Sequence, residues 1–72
     1  MNFSHAFQRI KEGFKMSRSG WNGTGQYLHI QEPDKNSKMG LPYIYISTVD
    51  KKLVPWTPSQ GDLFGQDWFE IA

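Results

Sequence analysis

The chain has 72 residues, no cysteine and a formal net charge of +1 from eight basic and seven acidic side chains. Disulfides and thiolate zinc sites are therefore excluded, and two histidines are too few for a structural metal. The near-neutral charge argues against duplex nucleic acid as a partner, because duplex binding depends on a dense basic face. Apolar runs fall far short of the roughly 18 residues of a membrane span, so no membrane partner is expected.

A chain of this length is expected to form one domain, residues 1–72, with a small interior. Domains near 60 residues bury only about 60% of their unfolded surface, so such a core is marginal by itself. Since disulfides and metals are excluded, oligomerisation is the expected source of further stability. Aromatic residues make up 15% of the chain, which favours either a compact aromatic core or a stacking surface.

The first predicted element is an amphipathic helix over residues 3–12. Its apolar side chains recur at helical spacing, at Phe3, Ala6, Phe7, Ile10 and Phe14. Asn2 or Ser4 can cap its start, and Gly13 stands where a left-handed terminator belongs.

Extended segments follow, at residues 15–18, 26–31, 43–49, 53–56 and 67–71. The pairs Leu28/Ile30 and Ile44/Ile46 alternate with polar or aromatic neighbours, which is typical of half-buried strands. The polar segment Glu32–Pro42 lies between two prolines and predicts a surface loop. Residues 50–52 predict a hairpin turn, and Pro55 places the strand after it at a sheet edge or a strand end.

Before the last strand, the spacing of Ser59 and Asp62 matches a capping box for one helical turn, which Gly65 ends. The predicted fold is therefore α+β. An N-terminal helix packs on a small antiparallel sheet, and a short helical turn precedes the C-terminal strand.

Two segments are candidates for a binding site. The first, SRSGWNGTG at residues 17–25, places three glycines around Trp21. Loop glycines serve either a positive φ or a close approach to the backbone. The spacing matches neither a dinucleotide fingerprint nor a P-loop. The segment is therefore either a tight connection with a packed indole or a loop whose amides meet a ligand while Trp21 stacks on it.

The second segment runs from Val54 to Leu63 and holds Trp56 between two prolines. Ser59, Gln60 and Asp62 present a hydroxyl, an amide and a carboxylate at the start of a helical turn. Ser59 and Asp62 either cap that turn only or contact a ligand. Because Asp62 would repel a phosphate, a ribose hydroxyl or a base amine suits this segment better.

The sequence shows no pattern that combines a nucleophile, a base and an orienting residue into a catalytic site. His5 and His29 lie on different elements without a carboxylate to orient them. Asp62 and Asp67 are conceivable paired carboxylates, but Asp67 is more simply a boundary before the last strand. Ser59 lacks a nucleophile-elbow context. We therefore expect no catalytic residue, no cofactor and no enzymatic activity.

A series of motifs resembles one known family. An N-F-x-x-A-F helix ends in E-G and is followed by R-x-G-W-N-G, a Y-L strand, L-P-Y-I, V-P-W-x-P-S-Q-x-D-L and a final D-W. The series spans the chain from Asn2 to Trp68 and resembles the small phage proteins called Thoeris anti-defence 2. One departure is the connection Glu32–Pro42, which is short and lysine-bearing where many relatives carry a longer insertion.

The resemblance implies a non-enzymatic sponge. Such proteins bind cyclic ADP-ribose isomers, the signals made by bacterial TIR-domain defence proteins, and withhold them from the effector. They form homotetramers with ligand pockets between subunits, and some hold cyclic di- or trinucleotides in separate pockets. The site of action would be the cytoplasm of the infected or lysogenic bacterial host, with which the absence of cysteine agrees. The short connection leaves open which isomer or cyclic nucleotide binds.

On this basis Trp21 would stack on a base, the amides of Gly20 and Gly23 would donate to phosphate oxygens, and Asn22 would read a base edge or a ribose. Arg18 would face the diphosphate. The predicted ligand-binding residues are Arg18, Gly20, Trp21, Asn22, Gly23, Tyr27, Pro58, Ser59, Gln60 and Asp62.

Three alternatives remain at this stage. The first is a single-stranded nucleic-acid module that stacks bases on Trp21, Tyr43, Tyr45 and Trp56. The second is an inhibitor that binds a host protein directly through an aromatic patch. The third is a weak enzyme that degrades the signal. Salt dependence, complex formation without nucleotide and product analysis respectively distinguish them from a sponge.

Overall fold

A computed structural model describes residues 1–71 of the chain, so Ala72, the last residue of the predicted domain, lies outside it. The elements are α1 (Phe3–Lys11), β1 (Lys15–Arg18), β2 (Tyr27–Gln31), β3 (Tyr43–Ser47), β4 (Leu53–Pro55), α2 (Gln60–Phe64) and β5 (Trp68–Ile71). The strands form one antiparallel sheet in the order β4-β3-β2-β1-β5. The predicted α+β class is confirmed.

The core lies between α1 and the centre of the sheet. Ala6 and Ile10 of the helix face Met16, Leu28 and Trp68, which come from three neighbouring strands. Met16 and Leu28 are register partners, so their side chains stand side by side beneath the helix. These five side chains are the fully enclosed apolar ones among residues 1–71, and half-buried aromatic side chains pack around them.

Both ends of α1 follow from local sequence. The Asn2 side chain accepts a hydrogen bond from the backbone N–H of His5 at 2.9 Å, which satisfies one of the free amides of the first turn. Lys11 is the last helical residue and Glu12 is the C-cap, one residue earlier than the periodicity predicts. Gly13 then adopts a φ of 96°, the left-handed conformation expected of a helix terminator.

The strands begin or end slightly inside their predicted bounds because their turns use the flanking residues. β3 ends at Ser47 rather than Val49, since Thr48 belongs to the hairpin turn. The backbone N–H of Thr48 donates to the carbonyl of Lys52 at 2.9 Å, and Lys52 donates to the Thr48 hydroxyl at 3.0 Å. β4 is an edge strand, so the predicted place of Pro55 is confirmed.

The predicted capping box of α2 is also confirmed. The backbone N–H of Asp62 donates to Ser59 Oγ at 3.1 Å, and the N–H of Ser59 donates back to Asp62 Oδ2 at 2.9 Å. Gly65 ends this helix, and Trp68 then enters the core. None of the helices within residues 1–71 is long and apolar enough to cross a membrane.

Candidate functional site

The two sequence segments singled out above meet at one end of the sheet. Residues 19–26, here called the glycine loop, leave the end of β1 and return as β2. The helix α2 and the turn before β5 lie against this loop. Contact is made by four polar side chains, here called the polar network: Arg18, Trp21, Asp62 and Asp67.

Asp62 is the centre of the polar network. Its Oδ1 accepts hydrogen bonds from Arg18 Nη1 at 2.8 Å and from the indole Nε1 of Trp21 at 3.0 Å. Its Oδ2 accepts the capping bond from Ser59, so both oxygens have partners. The Asp62 backbone carbonyl accepts from the indole Nε1 of Trp68 at 3.0 Å. Asp62 is only 7% exposed, and this burial is possible because its charge is paired and hydrogen-bonded.

Asp67 binds the same guanidinium from the other side. Arg18 Nε donates to Asp67 Oδ1 at 2.9 Å, so Arg18 joins two carboxylates that come from different segments. Asp67 Oδ2 accepts the backbone N–H of Gly20 at 2.7 Å. The Asp67 backbone carbonyl accepts the N–H of Ser19 at 3.2 Å. The start of the glycine loop is thereby hydrogen-bonded to the turn before β5.

The ionised forms of Arg18, Asp62 and Asp67 stabilise one another, as the directions of their pKa shifts indicate. Burial tends to raise the pKa of Asp62, but hydrogen bonds from Ser59, Trp21 and Arg18 outweigh it, and the net pKa is below its ordinary value. The hydrogen bond from Arg18 is the main reason why the pKa of Asp67 is also lowered. Hydrogen bonds to Asp67 and then Asp62 raise the pKa of Arg18. Neither carboxyl is therefore suited to act as a general acid near neutral pH.

The three tryptophans pack against one another beneath the network. The ring centroid of Trp21 lies 5.4 Å from that of Trp68, edge to face, and 6.4 Å from that of Trp56. Trp56 and Trp68 are also edge to face, at 6.2 Å. Such geometry is favourable for aromatic pairs. The compact aromatic core is therefore present at this end of the molecule, and Trp21 is half-buried in it with one part of its indole still accessible.

The glycines of the loop serve both purposes that the sequence allows. Gly23 and Gly25 have φ values of 85° and 82°, which side chains disfavour. Gly20 is needed for close approach, since a Cβ there would lie 2.8 Å from Asp67 Oδ2. A Cβ at Gly23 would likewise lie 2.6 Å from Val49 Cγ2. In both cases the group that approaches the backbone belongs to the chain itself.

The remaining predicted site residues fall into two groups. Asn22, Ser59 and Gln60 are exposed beside the network, with Pro58 half-buried next to them. Tyr27 differs, because its side chain stands on the sheet face opposite Leu28 and therefore away from the core. The Lys15 ammonium lies 4.8 Å from the centroid of the Tyr27 ring. The structure thus brings together all the predicted residues except Tyr27.

The geometry differs from two of the predicted ligand contacts, and it shows a role for one residue that was not predicted to belong to the site. Sequence reasoning assigned the Gly20 amide and the Arg18 guanidinium to a diphosphate, whereas in this structure Asp67 binds the first and shares the second with Asp62. Asp67 itself was interpreted as a strand boundary. The sequence offered no signal for this role, because the close approach of an Asp67 oxygen to Gly20 and Gly65 is visible only in the structure.

Within the described part of the chain, the residues suited to metal binding or to acid/base catalysis are not gathered at this site. Among residues 1–71, no group of three or more His, Cys, Asp or Glu side chains could hold a metal ion. His29 lies away from the polar network, with Nδ1 3.0 Å from the Tyr45 hydroxyl and Nε2 3.1 Å from the Gly13 carbonyl. His5 is exposed on α1. The two histidines therefore do not form an acid/base pair with the carboxylates.

Comparison with known proteins identifies a family for this chain. A family model described as the Thoeris anti-defense 2-like domain matches residues 1–71. The protein named Thoeris anti-defense 2 in Bacillus phage SP01 is 33% identical over 81 aligned positions, which cover 94% of this chain and 91% of the relative. The resemblance inferred from the motifs is confirmed. The chain belongs to the Thoeris anti-defense 2-like family of phage anti-defence proteins.

Proposed function

We propose that the chain performs its anti-defence role as a sponge, which binds cyclic ADP-ribose-type signals and withholds them from the defence effector without cleaving them. The observation that carries the proposal is the hydrogen bond between Trp21 Nε1 and Asp62 Oδ1 at 3.0 Å. It joins the two segments that bear the family's motifs, which lie 41 residues apart in sequence. Two motifs held together by a partly buried polar contact make a rigid platform for recognition.

The groups exposed around this platform suit a nucleotide-like ligand. Asn22 and Gln60 each offer an amide that donates and accepts, and Ser59 offers a hydroxyl. Such groups match ribose hydroxyls and base edges. The accessible part of the Trp21 indole offers an apolar surface for a base, and stacking of this kind contributes about 1–3 kcal/mol per base in nucleic-acid complexes. Residues 21, 22, 59 and 60 are therefore the contacts in this proposal.

Binding without turnover is favoured by the electrostatics of the same end of the chain. Asp62 and Asp67 have lowered pKa values and share Arg18, so neither is free to take or give a proton in a reaction. Ser59 Oγ accepts the α2 capping bond and has no base within the network to activate it. A sponge needs tight binding and slow release, and it requires neither a nucleophile nor a general base.

The proposal includes assembly as a homotetramer with ligand pockets between subunits. Only five apolar side chains among residues 1–71 are enclosed, which is a small core for an independent domain. Large apolar side chains are at the same time exposed, including Phe64 of α2 at 78% and Phe7 of α1 at 39%. Self-association would cover such groups. We place the assembly in the cytoplasm of the bacterial host, where the signals are made.

A capture experiment tests this proposal. The purified protein is incubated with the products of a TIR-domain cyclase, separated from free small molecules and denatured by heat, and the supernatant is analysed by mass spectrometry. The expected result is an intact cyclic ADP-ribose isomer. A degraded product would indicate an enzyme. If nothing is retained, the experiment is repeated with cyclic di- and trinucleotides, and a second blank would favour a direct inhibitor of a host protein.

A matched pair of variants tests where capture occurs. Asn22→Ala combined with Gln60→Ala removes two exposed side chains beside the network and leaves its hydrogen bonds in place. Capture should fall while the oligomer, measured by light scattering, is unchanged. The control is Asn36→Ala in the loop 32–42, which should retain full capture. Equal capture by all three proteins would place the pocket elsewhere.

A further inference from the structure

Asp67 occupies an unusual position for a residue that sequence reasoning assigned to a strand boundary. One oxygen accepts from Arg18 Nε at 2.9 Å and the other accepts the Gly20 N–H at 2.7 Å. The bond to Gly20 joins residues 47 apart in sequence. The single carboxylate therefore fixes the first residues of the glycine loop against the opposite end of the chain.

Space for this carboxylate is provided by two glycines. A Cβ at Gly20 would lie 2.8 Å from Asp67 Oδ2, and a Cβ at Gly65 would lie 2.9 Å from Asp67 Oδ1 and 3.0 Å from Arg18 Nε. Neither glycine has a φ in the left-handed region, so conformation does not explain them. Both are explained by the approach of the Asp67–Arg18 pair to the backbone.

We propose that Asp67 is a positioning residue of the binding site, because it holds the glycine loop in the conformation that presents Trp21 and Asn22 to the ligand. This inference rests on the sponge function proposed above and deepens it. In this proposal Asp67 acts through Arg18 and Gly20, to which its two oxygens are hydrogen-bonded, rather than by contact with the ligand. It acts by preorganisation: a loop that is ordered before binding loses less entropy when the ligand arrives.

The roles of the two network carboxylates can be separated by their burial. Asp62 is 7% exposed and its loss would disturb the core. The Asp67 side chain is 28% exposed, so water can solvate the groups that its removal leaves behind. Asp67→Asn is the informative substitution. It preserves shape, but its amide N–H₂ must face a donor, either Arg18 Nε or the Gly20 amide.

The control for this substitution is Glu70→Gln. Glu70 lies on β5, just after Asp67, and also pairs with an arginine, Arg9, at 2.7 Å, but its partner across the sheet is Met16 rather than a residue of the glycine loop. Two quantities are measured for the wild type and both variants. The first is the amide exchange rate and amide proton shift of Gly20 by NMR without ligand. The second is the Kd for the cyclic ADP-ribose isomer recovered in the capture experiment.

In Asp67→Asn the Gly20 amide should exchange about tenfold faster or more, with an upfield shift, because a charge-assisted hydrogen bond is lost. The Leu28 amide should be unchanged, which shows that the core is intact. The Kd should rise about tenfold, while Glu70→Gln behaves as the wild type. A uniform loss of stability cannot produce this combination.

Three outcomes would overturn the inference, and they are distinguishable. Faster Gly20 exchange with an unchanged Kd would mean that loop order is irrelevant to binding, and the sponge function would stand. If the wild type captures neither cyclic ADP-ribose isomers nor cyclic oligonucleotides, the sponge function fails and the positioning role falls with it. Because the Asn oxygen can still accept from the Gly20 N–H, the anchoring itself is refuted by unchanged Gly20 exchange in Asp67→Ala, which leaves no side-chain acceptor.

Discussion

Two loops of this sheet differ in where their hydrogen-bond partners lie. The glycine loop, residues 19–26, is tied to Asp62 and Asp67, more than 40 residues away in sequence. The loop 32–42 is stabilised by bonds within itself, such as those from the N–H groups of Asn36 and Ser37 to Asp34. Residues 34–42 are all exposed. Glycine content is thus a poor guide to loop order, because distant hydrogen-bond partners decide it.

The largest expected effect distinguishes Asp62, the carboxylate that binds Trp21 of the glycine loop, from Asp34, a carboxylate within the loop 32–42. Asp62→Ala leaves Arg18 and the Trp21 indole without their buried partner and removes half of the α2 capping box. We expect a loss of about 3 kcal/mol in the free energy of unfolding. Asp34→Ala, in the exposed loop, should cost about 0.5 kcal/mol or less. Urea unfolding followed by tryptophan fluorescence measures both. Equal losses would contradict the distinction between the loops.

A smaller effect is expected from the glycines. Gly20→Ala places a methyl group 2.8 Å from Asp67 Oδ2, so the carboxylate must move away from the loop. This should cost about 1–2 kcal/mol of unfolding free energy. Gly40 has no atom within 4 Å of its ideal Cβ and no left-handed φ. Gly40→Ala should therefore be neutral or stabilising by about 0.5 kcal/mol. Thermal and urea unfolding of the two variants provide the comparison.

The third comparison is between the hydroxyls of Ser59 and Ser37 in their contribution to the free energy of unfolding. Ser59→Ala removes the N-cap of α2 and should cost about 1 kcal/mol of unfolding free energy. Ser37 accepts from the Asp34 N–H at 2.9 Å, but in an exposed turn. Its replacement by alanine should cost about 0.3 kcal/mol. A Ser59→Ala variant as stable as the wild type would show that α2 does not depend on its cap.

The smallest contrast is the dependence of stability on pH. Asp62 and Asp67 have pKa values below those of the unfolded chain, so the unfolded state binds more protons in acid. Their contribution is complete above the unfolded pKa of about 4 and is lost as pH falls through the lower folded values. In Asp67→Asn the loss of stability below pH of about 4 should be shallower than in the wild type. Urea midpoints measured across this range for the wild type and the variant test the prediction, and equal slopes would contradict it.

Much of the fold was predictable because its signals are local. The α1 cap at Asn2, the terminator Gly13 and the Ser59–Asp62 capping box each depend on residues within one helical turn. The alternation around Leu28 and Ile44 identified two strands, since a strand buried on one face must repeat every second residue. The bounds were wrong by a residue or two where side chains close a turn, as Thr48 does at the end of β3.

The candidate site was predictable only as a set of segments. Its motifs identified the family and brought attention to Trp21 and Asp62, but the partners of these side chains could not be inferred. Arg18 was assigned to the diphosphate that the resemblance implies because it is the nearest cation able to face it. Tyr27 was also predicted to bind the ligand, although the pleat of β2 turns it to the opposite face of the sheet.

The element types, the α+β class and the family follow from the sequence alone, since each depends on periodicity, caps or motifs that neighbouring residues carry. The contacts of the polar residues depend on the three-dimensional arrangement of the strands. Arg18 meets Asp62 and Asp67 because β5 is placed beside β1 at the sheet edge, although these strands stand at opposite ends of the chain. Pairings across 44 and 49 residues leave no periodic trace, and they decide which groups remain exposed for a ligand.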